Sequence, residues 1–337
     1  MPYCWAALYH GPAPNGRTPQ SFVKPISDCP YWPRVRECEC ESPCLLGLHE
    51  AQITSLRPVS EEMSRGKTML GAIAGDMAGT IYENLRTKRE DAKLFGRLSM
   101  FTDDTVLTVA VAAALLTDRD YARAIKSYAR RHPLRGYGPR FLAWMVRPGC
   151  RPYHSLGNGS AMRVSPVGFA FPSAAEVLQE ARRSEECTHN HPEGIKGAQA
   201  TALAVFLART GADQEVIRTR IQAEFGYDLS RTVDQIRPGY SFDITCQGPV
   251  PEAIVAFLDS TSYEDALRNA ISLGGDSDTQ ACIAAGIAEA YCKDIPLDIL
   301  RQVKKRLSAD LWDKTLEFCQ RYGMPDIRKK VDEIAVA

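Results

Sequence analysis

Two short segments of the chain combine carboxylates with hydroxyls. They read Phe-Thr-Asp-Asp-Thr at 101–105 and Gly-Gly-Asp-Ser-Asp-Thr at 274–279. Each precedes an Ala-rich apolar stretch, so each could simply cap a helix. Both also offer the all-oxygen ligands that hard cations such as Mg²⁺, Mn²⁺ or Ca²⁺ prefer. If the segments met in space, four carboxylates would repel one another unless divalent ions neutralised them. Spacing along the chain leaves open whether they meet.

Helical patterns surround these acidic segments. From Thr68 onward, Ala-rich apolar stretches alternate with short polar breaks, and strand-like alternation is scarce. Residues that can cap a helix mark several starts, such as Thr102, Ser173 and Ser262. The sequence therefore predicts an all-α protein. Its apolar stretches are Leu70–Met77, Val106–Leu116, Ala198–Arg209, Glu252–Leu258, Tyr263–Leu273 and Cys282–Tyr291.

Composition narrows the class of protein. The chain has 337 residues, 45% of them hydrophobic, so it can bury a large core. Lys plus Arg and Asp plus Glu both total 41, and this balance does not indicate nucleic-acid or anionic-lipid binding, although local patches stay open. No apolar run approaches the ~18 residues of a membrane helix, and the first residues lack a secretory pattern. We therefore expect a cytoplasmic protein without a membrane span.

Of the eleven cysteines, five lie within the first 66 residues and six lie in the rest of the chain. A chain of this length is not a small disulfide-rich secreted domain, so most cysteines of the main part should be reduced core thiols. These cysteines, which lie in apolar contexts, are Cys150, Cys187, Cys246, Cys282, Cys292 and Cys319.

The first part of the chain differs from the rest. Residues 1–66 are rich in Pro, Cys, Trp and Tyr, and we interpret them as a small irregular Cys-rich extension of a main domain at 67–337. Its Cys29, Cys38, Cys40 and Cys44 could bind Zn²⁺, but their spacing lacks the common C-x2-C pair. The alternative is a loose extension with reactive thiols.

Six separated segments resemble the ADP-ribosylglycohydrolase (DraG-like) family in order and content. They are GAIAGDMAGTIYEN at 71–84, FTDDTVLTVAVAAAL at 101–115, GYGPRFLAWM at 136–145, SLGNGSAMRVSPVGFAF at 155–171, THNHPEGIKGAQATALAV at 188–205 and ISLGGDSDTQACIAAGIAEAY at 271–291. The resemblance implies a large orthogonal helical bundle. It also implies that the acidic segments jointly bind two Mg²⁺ or Mn²⁺ ions through Thr102, Asp103, Asp104, Asp276, Asp278 and Thr279.

The resemblance also implies a catalytic glutamate. Glu83 matches the family's glutamate on a mobile loop, which gates the site and acts near the scissile bond. Taken alone, Glu83 would be a solvated loop residue. The glycines before it would permit a tight passage from helix to loop, and Asp76 would support that segment by hydrogen bonding.

Further residues are implied to contact ADP-ribose. They are Gly157, Asn158, Gly159, Ser160 and His189. Arg163 could join them or could anchor a core carboxylate. Aromatic residues could stack on adenine but more often belong to the core, so none is assigned among Tyr137, Trp144, Tyr153 and Phe242.

The implied function is metal-dependent hydrolysis of the glycosidic bond between ADP-ribose and a modified protein or small molecule, carried out by a monomer. Bond rupture places positive charge on the ribose ring. Two ions would orient the ribose hydroxyls, and Glu83 or Asp104 would transfer the proton. The sequence leaves open which carboxylate is the acid and which is the base. One alternative is a non-catalytic ADP-ribose-binding or structural relative, and another is a two-metal phosphoesterase. A modified nucleic acid also stays open as a target.

Overall fold

The computed structural model describes residues 69–322 of the chain. In that part, the polypeptide forms α-helices and one 3₁₀ turn at Asn158–Ser160, and its only β-pairing is a single bridge between Gly157 and Thr245. The all-α prediction is confirmed. The extension at 1–66, including Cys29, Cys38, Cys40 and Cys44, lies outside the described residues and stays a prediction. The helices are α1 Leu70–Glu83, α2 Asp103–Leu115, α3 Tyr121–Arg131, α4 Pro139–Val146, α5 Ser165–Ala170, α6 Ala174–Glu185, α7 Pro192–Arg209, α8 Gln214–Phe225, α9 Val233–Ile236, α10 Pro249–Leu258, α11 Tyr263–Ser272, α12 Ser277–Cys292, α13 Leu297–Arg306 and α14 Ala309–Arg321.

The helix starts follow local chemistry. Thr102, Ser173 and Ser262 each accept a hydrogen bond from a backbone N–H in the first turn of α2, α6 and α11. Apolar patterning gave less accurate boundaries. α1 continues past Met77 to Glu83, and α12 begins at Ser277 rather than near Cys282, because the polar ends of both helices face the site described below.

Helices α1 and α12 form the centre of the fold. They run antiparallel, and three glycines of α1 lie against the backbone of α12. A Cβ added at Gly71, Gly75 or Gly79 would lie only 2.6, 2.2 or 2.3 Å from a carbonyl oxygen of α12. Both helices are buried along almost their whole length, and helices α7, α10 and α11 also pack against α12.

The predicted role of Gly75 and Gly79 was wrong. They do not form a passage from helix to loop, since Gly75 and Gly79 lie inside α1. Their spacing of four residues places them on one helix face, where the missing side chains let two backbones approach closely. The glycines at 75 and 79 therefore indicate close helix packing rather than a loop.

We expect Gly75→Ala to lower the free energy of unfolding by about 2 kcal/mol, because the added methyl would push α1 away from α12. For a domain of this size, the melting temperature should fall by roughly 4–8 °C. Gly286→Ala is the matched control. There the new Cβ would lie 3.4 Å from the nearest atom, the Cβ of Ala72, so the control should keep its stability. Equal melting temperatures for the two variants would contradict this account of the packing.

The expectation that the cysteines of the main domain are core thiols is only partly correct. Cys246, Cys282 and Cys319 are buried and form no disulfide, as predicted, whereas Cys150 and Cys292 are exposed. Both exposed cysteines lie at or beyond the end of a helix, where apolar neighbours in sequence do not ensure burial.

Within residues 69–322, none of the helices combines the length and the apolar character that a membrane span requires.

Candidate active site

The antiparallel pair of α1 and α12 sets the position of two acidic groups. Gly79 of α1 lies against Ser277 and Asp278 at the start of α12, so Glu83, one turn further along α1, reaches the same end. Carboxylate oxygens of Glu83, Asp276 and Asp278 all lie within 4.8 Å of one another. Close helix packing thereby brings together groups almost two hundred residues apart in sequence.

A buried aspartate fixes the second acidic segment. One carboxylate oxygen of Asp76, on α1, accepts hydrogen bonds from the backbone N–H of Thr102 at 2.9 Å and of Thr105 at 3.1 Å. The hydroxyls of both threonines also donate to Asp76. Asp76 therefore fastens the N-terminus of α2 to α1 and orients Asp103 and Asp104 toward the site. The contacts match its expected supporting role.

The two acidic segments meet in the fold. The hydroxyl of Thr279 donates a hydrogen bond of 3.0 Å to Asp104, across 175 positions of sequence. On the other side of the cluster, the amide of Asn158 donates to Asp276 at 2.6 Å. The sequence left this meeting open, and the structure places the two segments together.

The cluster lacks a compensating positive charge. Burial is the main cause that raises the pKa of Asp103 to about 8 and the pKa values of Asp104 and Asp278 well above their usual range. Neighbouring carboxylates raise these pKa values further. In the described part of the chain, no Lys, Arg or His forms an ion pair with Glu83 or with any of the clustered aspartates. Oxygen ligands without a cation of their own fit a bound hard metal ion.

The acidic cluster lies at one side of a cavity of about 430 Å³. A loop at 155–159 forms another wall, and hydrogen bonds hold it to the segment around Ile244: Asn158 N–H donates to Ile244 and Cys246 N–H donates to Leu156. This volume lies within the range typical of small-molecule sites.

His189 enters the cavity as a neutral side chain. Burial, and then the charges of Arg163 and Arg140, hold its pKa well below the usual value. Arg163 has only donors, so its contact at 3.5 Å assigns Nδ1 of His189 as an acceptor. The Nε2–H group then faces the glycines of the 155–159 loop, where it can donate to a ligand.

Arg163 anchors a core carboxylate, which was one of its two expected roles. It is fully buried and forms an ion pair with Glu185, which is also fully buried. A further hydrogen bond of 2.6 Å reaches Thr188, next to His189. Arg163 therefore holds the wall of the cavity that carries His189.

The predicted site residues occupy this one cavity with a single described exception. Ser160 is fully buried and donates to the carbonyl of Gly194, so it supports the loop rather than facing a ligand. Loop patterns in sequence cannot distinguish inward from outward side chains. The residues that line the cavity as predicted are Glu83, Thr102, Asp103, Asp104, Gly157, Asn158, Gly159, His189, Asp276, Asp278 and Thr279.

Sequence reasoning missed part of the opposite wall. Arg140 and Phe141, at the start of α4, line the cavity together with Ile244. Tyr153 also lines it, whereas Trp144, weighed beside it as a stacking residue, does not. The first two residues lie in a segment already singled out, GYGPRFLAWM at 136–145, so its polar and aromatic content was the available signal.

Comparison with known proteins decides the family. The model of the ADP-ribosylglycohydrolase family matches residues 63–326 of the chain. The chain belongs to the ADP-ribosylglycohydrolase family. This match confirms the resemblance read from the six sequence segments.

Relatives of this chain include named hydrolases. The mouse protein "ADP-ribosylhydrolase ARH3" is 27% identical over 307 residues, covering 66% of this chain and 82% of the relative. A Pseudomonas putida protein, "ADP-ribosylarginine hydrolase Tri1", is 27% identical over 282 residues, covering 72% of this chain and 74% of the relative. These relatives support a hydrolase reaction for this chain in general terms, without fixing the bond.

A solved structure confirms the fold. The protein described as "ADP-ribosylglycohydrolase-related protein complex" superposes with a TM-score of 0.61 at 23% sequence identity. The match covers 78% of this chain and 99% of the other. The helical architecture is therefore that of the family.

Proposed function

We propose that this protein hydrolyses the glycosidic bond between ADP-ribose and a modified target, in a reaction that depends on Mg²⁺ or Mn²⁺. The observation that carries the proposal is the convergence of Glu83 and both acidic segments beside one cavity. Family membership supports the same reaction class.

The cluster would hold two divalent ions through Thr102, Asp103, Asp104, Asp276, Asp278 and Thr279. The fit rests on three features of these residues: their ligand atoms are all oxygens, three of their four carboxylates are buried and that of Asp103 is partly buried, and they form no ion pair with a described basic residue. Bound ions would supply chelation of vicinal ribose hydroxyls and electrostatic activation beside the scissile bond.

Glu83 is our choice for proton transfer. Its carboxyl group is half-buried at the cavity, and burial followed by the charge of Asp276 raises its pKa. Asp104 is less suited, because it is buried and already accepts a hydrogen bond from Thr279. A carboxyl group with a raised pKa can protonate the departing atom of the target or take a proton from water. The remaining carboxylates would stabilise positive charge that develops on the ribose.

The other walls would hold the ADP moiety. Phe141 and Tyr153 offer ring surfaces to adenine, and His189 offers an N–H donor. Arg140 lies over the ring of Tyr153 at 5.2 Å and is exposed at the rim of the cavity, where it would neutralise a phosphate. These contacts would orient the sugar toward the acidic cluster.

A panel of substrates tests the proposed reaction. The protein would be incubated with ADP-ribosyl-arginine, an ADP-ribosyl-serine peptide, O-acetyl-ADP-ribose and an ADP-ribosylated oligonucleotide, and products would be identified by mass spectrometry. We expect free ADP-ribose from at least one of them. Release of phosphate instead would favour a phosphoesterase, and tight binding of ADP-ribose without any turnover would favour a non-catalytic relative.

The N-terminal extension supplies a separate prediction. Its cysteines cannot contribute hard-metal ligands, so removal of residues 1–66 should leave cleavage of a small substrate unchanged while weakening use of a macromolecular one. If Cys29, Cys38, Cys40 and Cys44 bind Zn²⁺, elemental analysis should find the metal in the full chain and not in the shortened one. A full chain without zinc would contradict the metal site. Equal activity of both proteins on every substrate would contradict a recruiting role.

A further inference from the structure

One long segment of this chain lacks acidic residues altogether. Between Tyr121 and Ala175 there is no Asp or Glu, whereas the same stretch holds eight arginines and one lysine. The whole chain is balanced, with 41 residues of each charge, so the imbalance is local. The segment contributes helices α3 and α4 and the loop that lines the cavity. A local basic surface of this kind attracts anions.

Much of this charge borders a second depression, which we call the basic groove. It measures about 580 Å³ and lies between α3 and the turn that follows α4. It shares no lining residue with the cavity of the acidic cluster. Its lining residues are Arg123, Lys126, Ser127, Arg130, Arg131, Arg147, Pro148, Gly149 and Cys150.

The basic groove is a built surface rather than a set of loose side chains. Lys126 is 7% exposed and lies over the ring of Trp144 at 4.6 Å. Its ammonium group donates to the carbonyls of Arg147 and Gly149, which holds the turn against α3. The groove therefore keeps its shape without a ligand.

Two guanidinium groups of the groove are available for a ligand. In the part of the chain that the structure describes, no carboxylate forms an ion pair with Arg130 or Arg147. Arg123 and Arg131, by contrast, pair with Asp118 and Asp310. Both unpaired arginines are exposed. Planar guanidinium groups bind phosphate oxygens in a bidentate manner, and no carboxylate lines the groove to compete with a phosphate.

Helix α4 connects the basic groove with the cavity. Its first residues, including Arg140, line the cavity, while Met145 at its other end accepts a hydrogen bond from Arg130 of the groove. A helix of eight residues is about 12 Å long. A few nucleotides of an extended strand span that distance.

We propose that the basic groove binds the phosphate backbone of a single-stranded nucleic acid. The two exposed arginines without an ion pair and a lining that contains no carboxylate fit a flexible phosphate chain. Binding at the groove is independent of the proposed hydrolysis. The balanced net charge of the chain, which gave no indication of such a ligand, concealed this local surface.

Fluorescence anisotropy with a labelled single strand of about 12 nucleotides tests the proposal on the full chain. The double variant Arg130→Gln, Arg147→Gln should weaken the Kd at least ~10-fold at low salt and reduce the salt slope by about 1.4, the value for two lost phosphate contacts. The matched control is Lys304→Gln, Lys305→Gln, which removes two exposed charges from α13. That control should bind like the unmodified protein. Melting temperatures of both variants would verify that they fold.

Several results would overturn the proposal. They are the absence of strand binding, equal weakening by both double variants, and tighter binding of a duplex or of a poly-glutamate peptide than of the strand. The test needs no turnover, so a failure of the proposed hydrolysis would leave its outcome unaffected. If the protein does cleave ADP-ribosyl-arginine or another small substrate, the groove variant should cleave it at an unchanged rate.

Discussion

Asp278→Asn should lower the rate of ADP-ribose release by at least ~100-fold, a change in activation free energy of about 2.7 kcal/mol. The substitution keeps the shape of the side chain but removes one of the charges that would bind the two ions. The buried Asp278 carboxylate lies beside Asp276 and Glu83, where no described basic residue replaces a cation. Loss of metal binding would therefore remove the ions that would orient the ribose hydroxyls.

The same variant should remain folded. Burial and the charges of Asp104 and Asp276 raise the pKa of Asp278, so in the metal-free protein its charge is unfavourable. Removing that charge should not lower the melting temperature without metal. Added Mn²⁺ should raise the melting temperature of the unmodified protein and not of the variant, because a ligand that binds only the folded state stabilises it.

Asp313→Asn is the control for this prediction, since Asp313 is an exposed carboxylate on α14. It should keep both turnover and the stabilisation by Mn²⁺. Undiminished turnover of Asp278→Asn at low metal concentration would remove Asp278 from the ligand set and the two-metal account with it.

Glu83→Gln should slow hydrolysis by about 100-fold while leaving the affinity for ADP-ribose unchanged. Glutamine keeps the size and one carbonyl oxygen of the side chain but cannot ionise, so the variant separates proton transfer from contact. Single-turnover rates give the chemical step, and calorimetry gives the Kd for ADP-ribose. Glu90→Gln, in the segment that follows α1, is an exposed control that should retain the full rate.

Two experimental outcomes would contradict the proposed role of Glu83 in proton transfer. An unchanged rate would make it a residue of the helix end without a catalytic function. A parallel loss of rate and of Mn²⁺ affinity would make it a metal ligand, which its distance from Asp276 and Asp278 also allows.

Much of this site could be predicted from the sequence because its chemistry is concentrated in short segments. Thr102, Asp103 and Asp104 adjoin one another, and Asp276, Asp278 and Thr279 do likewise. The residues within each group lie close together in any fold because they are neighbours in sequence, and each group lies at the start of a helix. The all-α class followed from the same Ala-rich stretches that became the central helices.

What the sequence could not give was the relation between distant segments. The contact of Asp104 with Thr279 depends on close packing of α1 and α12, and the sequence pattern does not distinguish glycines that permit such packing from glycines that form a loop. Apolar periodicity also predicts too early an end for α1, because its last turn carries Thr80, Tyr82 and Glu83, of which Glu83 lines the cavity. A loop sequence also does not show the direction of its side chains, so it predicts a ligand contact for Ser160, whose hydroxyl instead donates to the carbonyl of Gly194.

Metal removal and restoration test the central claim most directly. The protein would be stripped with a chelator and dialysed, and release of free ADP-ribose from the best substrate of the panel would be followed as Mg²⁺ or Mn²⁺ is added, with bound metal counted by elemental analysis. We expect no release from the stripped protein and full recovery as two ions bind per chain. Full release by protein that holds no divalent metal would contradict the account.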